Sequence, residues 1–293
     1  MRFIAPVAVA LSLTLAPAAA RALEPSALVD GVSWARAEQN RVALEYDIWP
    51  SSSSFFGNEF TQVGLAWAVT GQFKVAESVY LDVEIPWAYW TGWSDDFAEG
   101  GFAFGNLTAG AHYAAAITDD VAFWAGAKLS VPTQLMDVGG TSLDDMRPLF
   151  AASAAMASRA AVDMHRFYPE HISLPFGGGV ELRFADFMYY RGTLVPAMHF
   201  PVDGDFEFYM DQVNELELRA DMGFGGGLRI QEVFMWSESD LIQMAMEPFI
   251  GYEPPGAGFI FRLGFMMALD ESMGFAFDEG KVASFRTMFG GKF

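Results

Sequence analysis

Charged side chains alternate with apolar ones along several stretches of this chain, and residues 215–230 are the clearest case. Glu215, Glu217, Arg219, Asp221 and Arg229 share one parity along the segment, and leucine, methionine, phenylalanine and isoleucine share the other. Successive side chains of a β-strand point to opposite faces. We therefore expect one charged face and one apolar face. A charged face of this kind can bind strands together through ion pairs or line a polar passage.

The same division recurs in other segments, so one set of polar residues is expected to share an interior. The candidates for lining a lumen are Asp82, Glu84, His112, Lys128, Glu181, Arg183, Arg191, Glu215, Glu217, Arg219, Asp221, Arg229, Glu247, Arg262 and Arg286. Buried charges need partners, so one interpretation is a network of ion pairs between neighbouring strands. The other is a narrow path that mildly favours cations. His112 is expected to make hydrogen bonds in the lumen rather than to bind a ligand.

The four histidines raise the question of hydrolytic chemistry. His171 and Ser173 would lie on one face of one strand, as a base and a nucleophile require. No Asn or acid stands beside them as a third partner. No grouping of His, Asp and Glu has the tight spacing of a metal site, and the sequence indicates no cofactor. Lipid hydrolysis is kept as an alternative to a non-enzymatic role.

Period-two alternation predicts most of the elements that would position these residues. Strands are predicted at residues 42–49, 60–70, 78–90, 104–115, 120–131, 149–158, 174–184, 187–199, 215–230, 241–252, 259–269 and 283–293. Residues 233–236 could form a further short strand, and residues 159–171 could be a turn, a short helix or a strand. Long acidic loops are predicted at 92–102 and 133–147, and tight turns at 118–120, 185–186 and 254–256. The fold class is an all-β, single antiparallel transmembrane barrel of about 12 strands, with 14 as the alternative.

Composition supports a membrane barrel and excludes other classes. The chain is 52% hydrophobic and 15% aromatic, yet no stretch after residue 22 is long and apolar enough for a spanning helix. Closed barrels are the other structure that spans a bilayer. With 37 acidic residues against 17 basic ones, nucleic acid is not expected as a partner. A soluble exported sandwich or lipocalin-like barrel is the alternative, although its core would have to hold many rows of large apolar side chains.

Both ends of the sequence favour export. Met1 and Arg2 precede an apolar stretch and small residues that suit a signal peptidase, so residues 1–22 are predicted to be a cleaved signal peptide. Residues 23–41 would be a short periplasmic segment, and residues 42–293 the barrel. The last strand alternates and ends in aromatic residues, which resembles the final strand of Gram-negative outer-membrane barrels. That resemblance implies that Phe289 and Phe293 signal to the outer-membrane assembly machinery.

Three local patterns carry a narrower resemblance: GNLTAGAHY at 105–113, LDVEIPW at 81–87 and GAKLSVPT at 126–133. They resemble the outer-membrane family of transporters of the meta-pathway for phenol degradation, over much of residues 42–200. The sequence departs from that family at Asn106, His112 and Gln134, where Asp, Lys and Gly are usual.

The resemblance implies a porin-like passive channel of the bacterial outer membrane for small molecules, with hydrophobic or aromatic ones among the candidates. Expected partners are a small-molecule solute, outer-membrane lipid and lipopolysaccharide, and the assembly machinery. A structural or adhesive surface barrel with a plugged lumen is the alternative function.

Overall fold

The computed structural model describes residues 40–55, 58–94, 97–133, 143–202, 205–236, 242–254, 258–270 and 281–293. The predicted signal peptide and all but the last two residues of the segment that follows it lie outside these ranges. The strands are β1 Arg41–Phe55, β2 Asn58–Ala76, β3 Val79–Ser94, β4 Phe97–Phe104, β5 Leu107–Ala116, β6 Val121–Val131, β7 His171–Ala185, β8 Met188–Pro201, β9 Glu207–Arg219, β10 Phe224–Met235, β11 Ile242–Tyr252, β12 Phe259–Ala268 and β13 Ala283–Lys292. Helix α1 spans Leu143–Ser158, and a 3₁₀-helix spans Met164–Arg166.

Twelve strands close into an antiparallel ring. Except for β4 and β5, each strand pairs with its neighbours in sequence; β3 pairs with β5, and β13 pairs with β1 so that Arg41 lies opposite Lys292. The extra strand, β4, pairs with the second half of β3, while β5 pairs with the first half. Strands β4 and β5 therefore share one place in the ring, interrupted at Gly105 and Asn106. The predicted all-β antiparallel barrel is confirmed. Among the described residues, no helix has the length and apolar character to cross a bilayer.

The two ends of the barrel differ in their connections. Strand β1 starts and β13 finishes at one end, which we call the termini end, and the opposite end is the far end. Short turns join β2 to β3, β5 to β6, β7 to β8 and β9 to β10 at the termini end. The longest connection, between β6 and β7, leaves and returns at the far end. Even strand number and alternating short and long connections are typical of outer-membrane barrels.

Side chains alternate strictly between the two faces of the wall. Along β3, Asp82, Glu84 and Trp90 are buried, while Leu81, Ile85 and Trp93 are exposed. Outward positions in the other strands carry similar apolar side chains. In water this exterior would expose a large apolar area, so the wall is suited to contact with lipid.

Three predicted boundaries were wrong. Residues 215–230 were predicted as one strand but form the end of β9, a turn and the start of β10. The turn has four residues, an even number, so the alternation of apolar and polar side chains continues across it unchanged. That turn depends on Gly223, whose φ of 91° suits glycine and whose Cα faces the Glu253 carbonyl oxygen too closely for a side chain. The predicted loop at 92–102 is the end of β3 and most of β4. The third is at 143–158: residues 143–147 were predicted as the end of a loop and residues 149–158 as a strand, but all of them belong to α1.

Helix α1 lies inside the barrel against β1, β2, β3 and β4. Its alanines at 151, 152, 154 and 155 pack on inward alanines and on Trp49 and Trp90. A run of alanines suits a helix as well as a strand, which is why alternation misassigned it. Gly64 and Gly101 have no room for a Cβ where α1 passes, because Ala154 and the Arg147 carbonyl occupy that space. Small residues on both surfaces thus let the helix approach the wall closely.

We call residues 143–170, which occupy the barrel interior, the plug. After α1 the chain turns sharply through Ala160, Ala161 and Asp163, which have φ values of 50°, 61° and 59°. These left-handed conformations are unfavourable for residues other than glycine, at about 1–2 kcal/mol each. The plug conformation is therefore maintained by contacts with the barrel wall.

Candidate functional site: the charged barrel interior

A row of opposite charges crosses five neighbouring strands on the inner wall. Glu181, Arg191, Glu215, Arg229 and Glu247 come from β7 to β11, and each lies directly opposite the next in the strand register. Arg191 Nε donates to Glu181 Oε2 at 2.7 Å, and Arg229 Nη2 donates to Glu215 Oε2 at 2.6 Å. Arg191 also binds Glu215. We call this row the charge ladder.

A glycine extends the charge ladder past β12. At Gly264 an added Cβ would lie 2.2 Å from Glu247 Oε1, so the Glu247 carboxylate fills the space that a side chain would need. The carboxylate accepts a hydrogen bond from Arg286 Nη1 on β13 at 2.8 Å, and Arg286 Nε donates to Asp47 Oδ1 on β1 at 3.0 Å. Arg262 joins from β12 by donating to Glu215 at 2.9 Å. The paired charges therefore continue from β7 through β13 to β1.

Two arginines of the plug connect the remaining wall. Arg159 binds Asp47 of β1 and donates to Asp163 of the plug at 2.9 Å. Arg166 donates to Glu45 of β1 at 2.5 Å and to Glu84 of β3 at 2.6 Å. Glu84 in turn binds Lys128 of β6, and His112 Nδ1 of β5 lies 2.7 Å from Asp82 Oδ2 of β3, which accepts its hydrogen bond. Through these contacts the plug bridges strands on both sides of the interior.

Almost all of these charges are shielded from water. Eleven acidic and eight basic side chains are buried among the described residues. Burial alone would raise the pKa of Asp163, but the Arg166 and Arg159 guanidiniums beside it hold the pKa below its ordinary value. Burial alone would lower the pKa of Arg166. The Glu45 and Glu84 carboxylates beside it have the opposite effect, and the pKa of Arg166 lies well above its ordinary range. The interior at this level is thus filled by paired side chains, and removing one partner would leave a buried charge uncompensated.

A second set of contacts holds the plug by its backbone. Asn106 Nδ2 donates to the carbonyls of His165 at 2.9 Å and Tyr168 at 2.8 Å. Ser130 Oγ donates to the same His165 carbonyl at 2.8 Å, and Asn106 N donates to the Arg166 carbonyl at 2.6 Å. Asn106 lies at the interruption between β4 and β5. An Asp, usual at this position in the family described above, has no side-chain donor for these carbonyls unless it is protonated.

The predicted lining residues divide into two groups. Twelve of the fifteen are buried side chains of the inner wall: Asp82, Glu84, His112, Lys128, Glu181, Arg191, Glu215, Glu217, Arg229, Glu247, Arg262 and Arg286. Arg183 instead binds Asp120 near the termini end, and Arg219, beside the β9–β10 turn, binds Glu217. Asp221 is exposed on that turn and does not face the interior, because the predicted strand ends two residues earlier.

Sequence reasoning missed the plug residues that complete the network. Arg159, Asp163 and Arg166 lie in a segment that showed no clear periodicity, and Asn106 was noted only as a departure from a family pattern. The i,i+4 spacing of Arg159 and Asp163 is a signal of helical or turn structure that could have been used.

The two aromatic residues proposed as an assembly signal lie at the end of β13. Phe289 is exposed on the outer wall opposite Leu44 and packs on Phe261. Phe293 is exposed, and its backbone N–H donates to the Asn40 carbonyl.

The serine considered for hydrolysis pairs with a different histidine. Ser173 Oγ lies 2.8 Å from His199 Nδ1 on the neighbouring strand, whereas His171 stacks on Tyr168 and contacts the Pro169 carbonyl. His199 Nε2 has no hydrogen-bond partner in the described part of the chain. Both Ser173 and His199 are fully buried. Within the described residues, this buried pair has no carboxylate partner and therefore lacks the arrangement of a catalytic triad. In the part of the chain that the structure describes, no group of three or more His, Asp or Glu side chains is placed to hold a metal ion.

Comparisons with known proteins bear on the fold. No family model matches the sequence, and no curated protein matches it. Among solved structures, the COG4313 outer membrane channel from Pseudomonas putida F1 is 9% identical, with a TM-score of 0.57, and the alignment covers 90% of this chain and all of that chain. The CymD monoaromatic hydrocarbon channel is 8% identical with a TM-score of 0.42, covering 87% and 88% of the two chains. The first of these two alignments shows that the chain shares the barrel fold of the Pseudomonas putida structure.

Proposed function

We propose that this protein is a passive outer-membrane channel for small solutes and that the plug is its gate. The apolar exterior suits a bilayer, and paired charges line the inner wall beside the apolar surface that receives α1. A ring of about 12 strands encloses more space than a side-chain-filled barrel of about eight strands and less than a porin of 16 to 18. Such a passage suits small molecules.

The observation that carries the proposal is the way in which the plug is attached. It enters and leaves at the far end, and none of its residues belongs to a strand of the ring. Its contacts with the wall are ion pairs, hydrogen bonds and alanine packing. The plug can therefore leave the lumen while every strand pairing of the wall remains intact.

Charge predicts what an open lumen would prefer. Of the eleven buried acids and eight buried bases, the plug supplies Asp163, Arg159 and Arg166. When the plug leaves, ten acids and six bases remain on the wall and at its rim. Glu45, Asp47 and Glu84 would then lose arginine partners and attract cations from solution. We infer that the open channel favours cations over anions.

The proposal also covers the wider biology of the chain. Residues 1–22 would be cleaved on export, Phe289 and Phe293 would serve the assembly machinery, and the mature barrel would contact outer-membrane lipid and lipopolysaccharide. The resemblance to transporters of the meta-pathway for phenol degradation suggests small hydrophobic or aromatic solutes. Swelling of liposomes in phenol, benzoate and sugar solutions would compare these solute classes.

The gate can be tested by neutralising its two arginines. We expect wild-type protein in planar bilayers to be mostly closed. R159Q/R166Q should open it, because together the substitutions remove the two plug cations that pair with Glu45, Asp47 and Glu84 of the wall. Reversal potentials in a salt gradient should show cation preference. The matched control is R183Q, which removes an arginine paired outside the plug. A double variant as silent as R183Q would contradict the gate.

The alternative function is a structural or adhesive surface barrel whose lumen stays plugged. The near-complete burial of the interior charges favours it. On this alternative, plug variants would remain impermeable to every solute, and deletion of far-end loops would abolish binding to surfaces while leaving the barrel folded.

A further inference from the structure

The outer wall carries one polar patch within its apolar band. Gln212 and Asn214 of β9 face outward, because Asp211, Val213 and Glu215 on the same strand face the interior. Glu232 of β10 also faces outward, between the inward Gln231 and Val233. Among the strand side chains that the structure describes, Glu232 is the one charged group that faces outward, and Gln212 and Asn214 are the outward amides.

These three residues lie together and within the apolar band. Glu232 is directly opposite Gln212 in the register, and Asn214 is the next outward residue along β9. Met210 and Leu216 lie outward on either side of the amides on β9, and Ile230 and Phe234 on either side of Glu232. Trp236 and Phe208, whose rings are 5.0 Å apart, mark an aromatic group nearer the far end. Interfacial aromatic girdles have this position, so Glu232 lies on the lipid side of that boundary.

A carboxylate at this depth is unfavourable when it faces lipid alone. Ionisable side chains within a membrane are rare and usually have a polar partner. Within the described residues, neither Glu232 nor Gln212 forms a hydrogen bond with another side chain. Asn214 is oriented by Tyr190, whose hydroxyl donates to Asn214 Oδ1 at 2.7 Å. The amide nitrogen of Asn214 is therefore left as a donor on the outer surface.

We propose that this patch is the interface of a dimer formed with a second copy of this chain. A two-fold axis along the membrane normal, between β9 and β10, places β9 of each copy against β10 of the other. Register partners on tilted strands differ in depth by only about 3 Å, within reach of these side chains. Gln212 of one copy therefore meets Glu232 of the second, and the second copy's Gln212 meets the first Glu232. Amide donors thus face carboxylate acceptors twice. Gly226, nearer the termini end of β10, leaves that part of the surface low enough for close approach.

Single cysteines test the interface, because the chain has no native cysteine. I230C places a thiol beside Glu232 on the outer wall. I85C is the matched control: Ile85 is the same residue type, also faces outward, lies six residues after the start of its strand as Ile230 does, and belongs to β3, across the ring from β10. A short bis-maleimide should link I230C into dimers in outer-membrane vesicles at least about tenfold more efficiently than I85C.

Glu232 is then replaced in the cross-linking background. I230C/E232L should lose the dimer, with association at least about a hundredfold weaker, because both carboxylate hydrogen bonds disappear. Heat-modifiable migration should show that the variant remains a folded barrel. Equal cross-linking of I230C and I85C, no cross-linking of I230C, an undiminished dimer in E232L, or a link to a different polypeptide would each overturn the proposal. The inference requires a membrane barrel but does not depend on what the barrel conducts.

Discussion

Replacing Asn106 with aspartate should release the plug while leaving the barrel wall intact. The change preserves the size of the side chain but removes both Nδ2 donors to the His165 and Tyr168 carbonyls. Those carbonyls then face carboxylate oxygens. The His165 carbonyl keeps the Ser130 hydroxyl as a donor, but the Tyr168 carbonyl loses the Asn106 donor, and a lost donor at a buried acceptor costs about 1–3 kcal/mol. With the added repulsion between the carboxylate and both carbonyl oxygens, plug docking weakens by about 3 kcal/mol, which increases the released population roughly a hundredfold.

Protection from trypsin measures this population. The plug has cleavage sites at Arg159 and Arg166, both buried when the plug is docked. When release and docking are fast relative to cleavage, the cleavage rate follows the released fraction. N106D should therefore be cut about a hundredfold faster than wild type. Single-channel recordings should show a matching rise in open time.

A control isolates the lost donors from the added charge. Asn40 uses its side-chain oxygen to accept from Lys74 N, so N40D adds a carboxylate and loses no donor bond. N40D should match wild type in both assays. Lower pH should partly restore docking in N106D, because a protonated Asp side chain regains one donor. If N106D resists trypsin as well as N40D at neutral pH, Asn106 does not hold the plug.

Two further substitutions test the interior charges. G264A places a Cβ where the Glu247 carboxylate lies and should reduce the free energy of unfolding by about 3 kcal/mol; G226A, whose nearest contact is 3.2 Å away, should cost less than about 1 kcal/mol in the same urea titration. The pKa of Asp163 is lower when the plug is docked than when it is released. The ionised Asp163 carboxylate therefore favours docking above about pH 4, and this stabilisation is lost as the pH falls through the two pKa values. D163N should therefore show a shallower rise in conductance between pH 5 and pH 3 than wild type, and an unchanged slope would contradict this role.

The wall could be predicted from sequence because its physical rule is local. One side of each strand meets an apolar environment and the other meets paired charges, so alternation along β3 or β6 records the direction of each side chain. A turn with an even number of residues, such as the one containing Gly223, continues the alternation of apolar and polar side chains and so hides the end of a strand. The prediction therefore obtained the barrel and most inward charges but merged β9 with β10.

The plug could not be predicted in the same way because its contacts are distant in sequence. Arg159 meets Asp47 across 112 positions, and Arg166 meets Glu45 across 121. Neither pair leaves a periodic signal. The role of Gly264 was also hidden, since a glycine alone does not indicate which carboxylate will fill its space. Alanines added to the difficulty, because they fit the inside of a barrel in a helix or in a strand.

The single-ended attachment of the plug has a consequence for how the protein is made. Since its connections to β6 and β7 both lie at the far end, the twelve-strand ring can close before α1 enters, and no segment has to be threaded through the completed ring. Closure joins β1 to β13 across almost the whole chain, a slow step for any chain. Docking of the plug brings together groups already confined to one small volume. Biogenesis can thus end with an empty ring that is filled afterwards, and a protein arrested just before that last step would already have its complete twelve-strand wall.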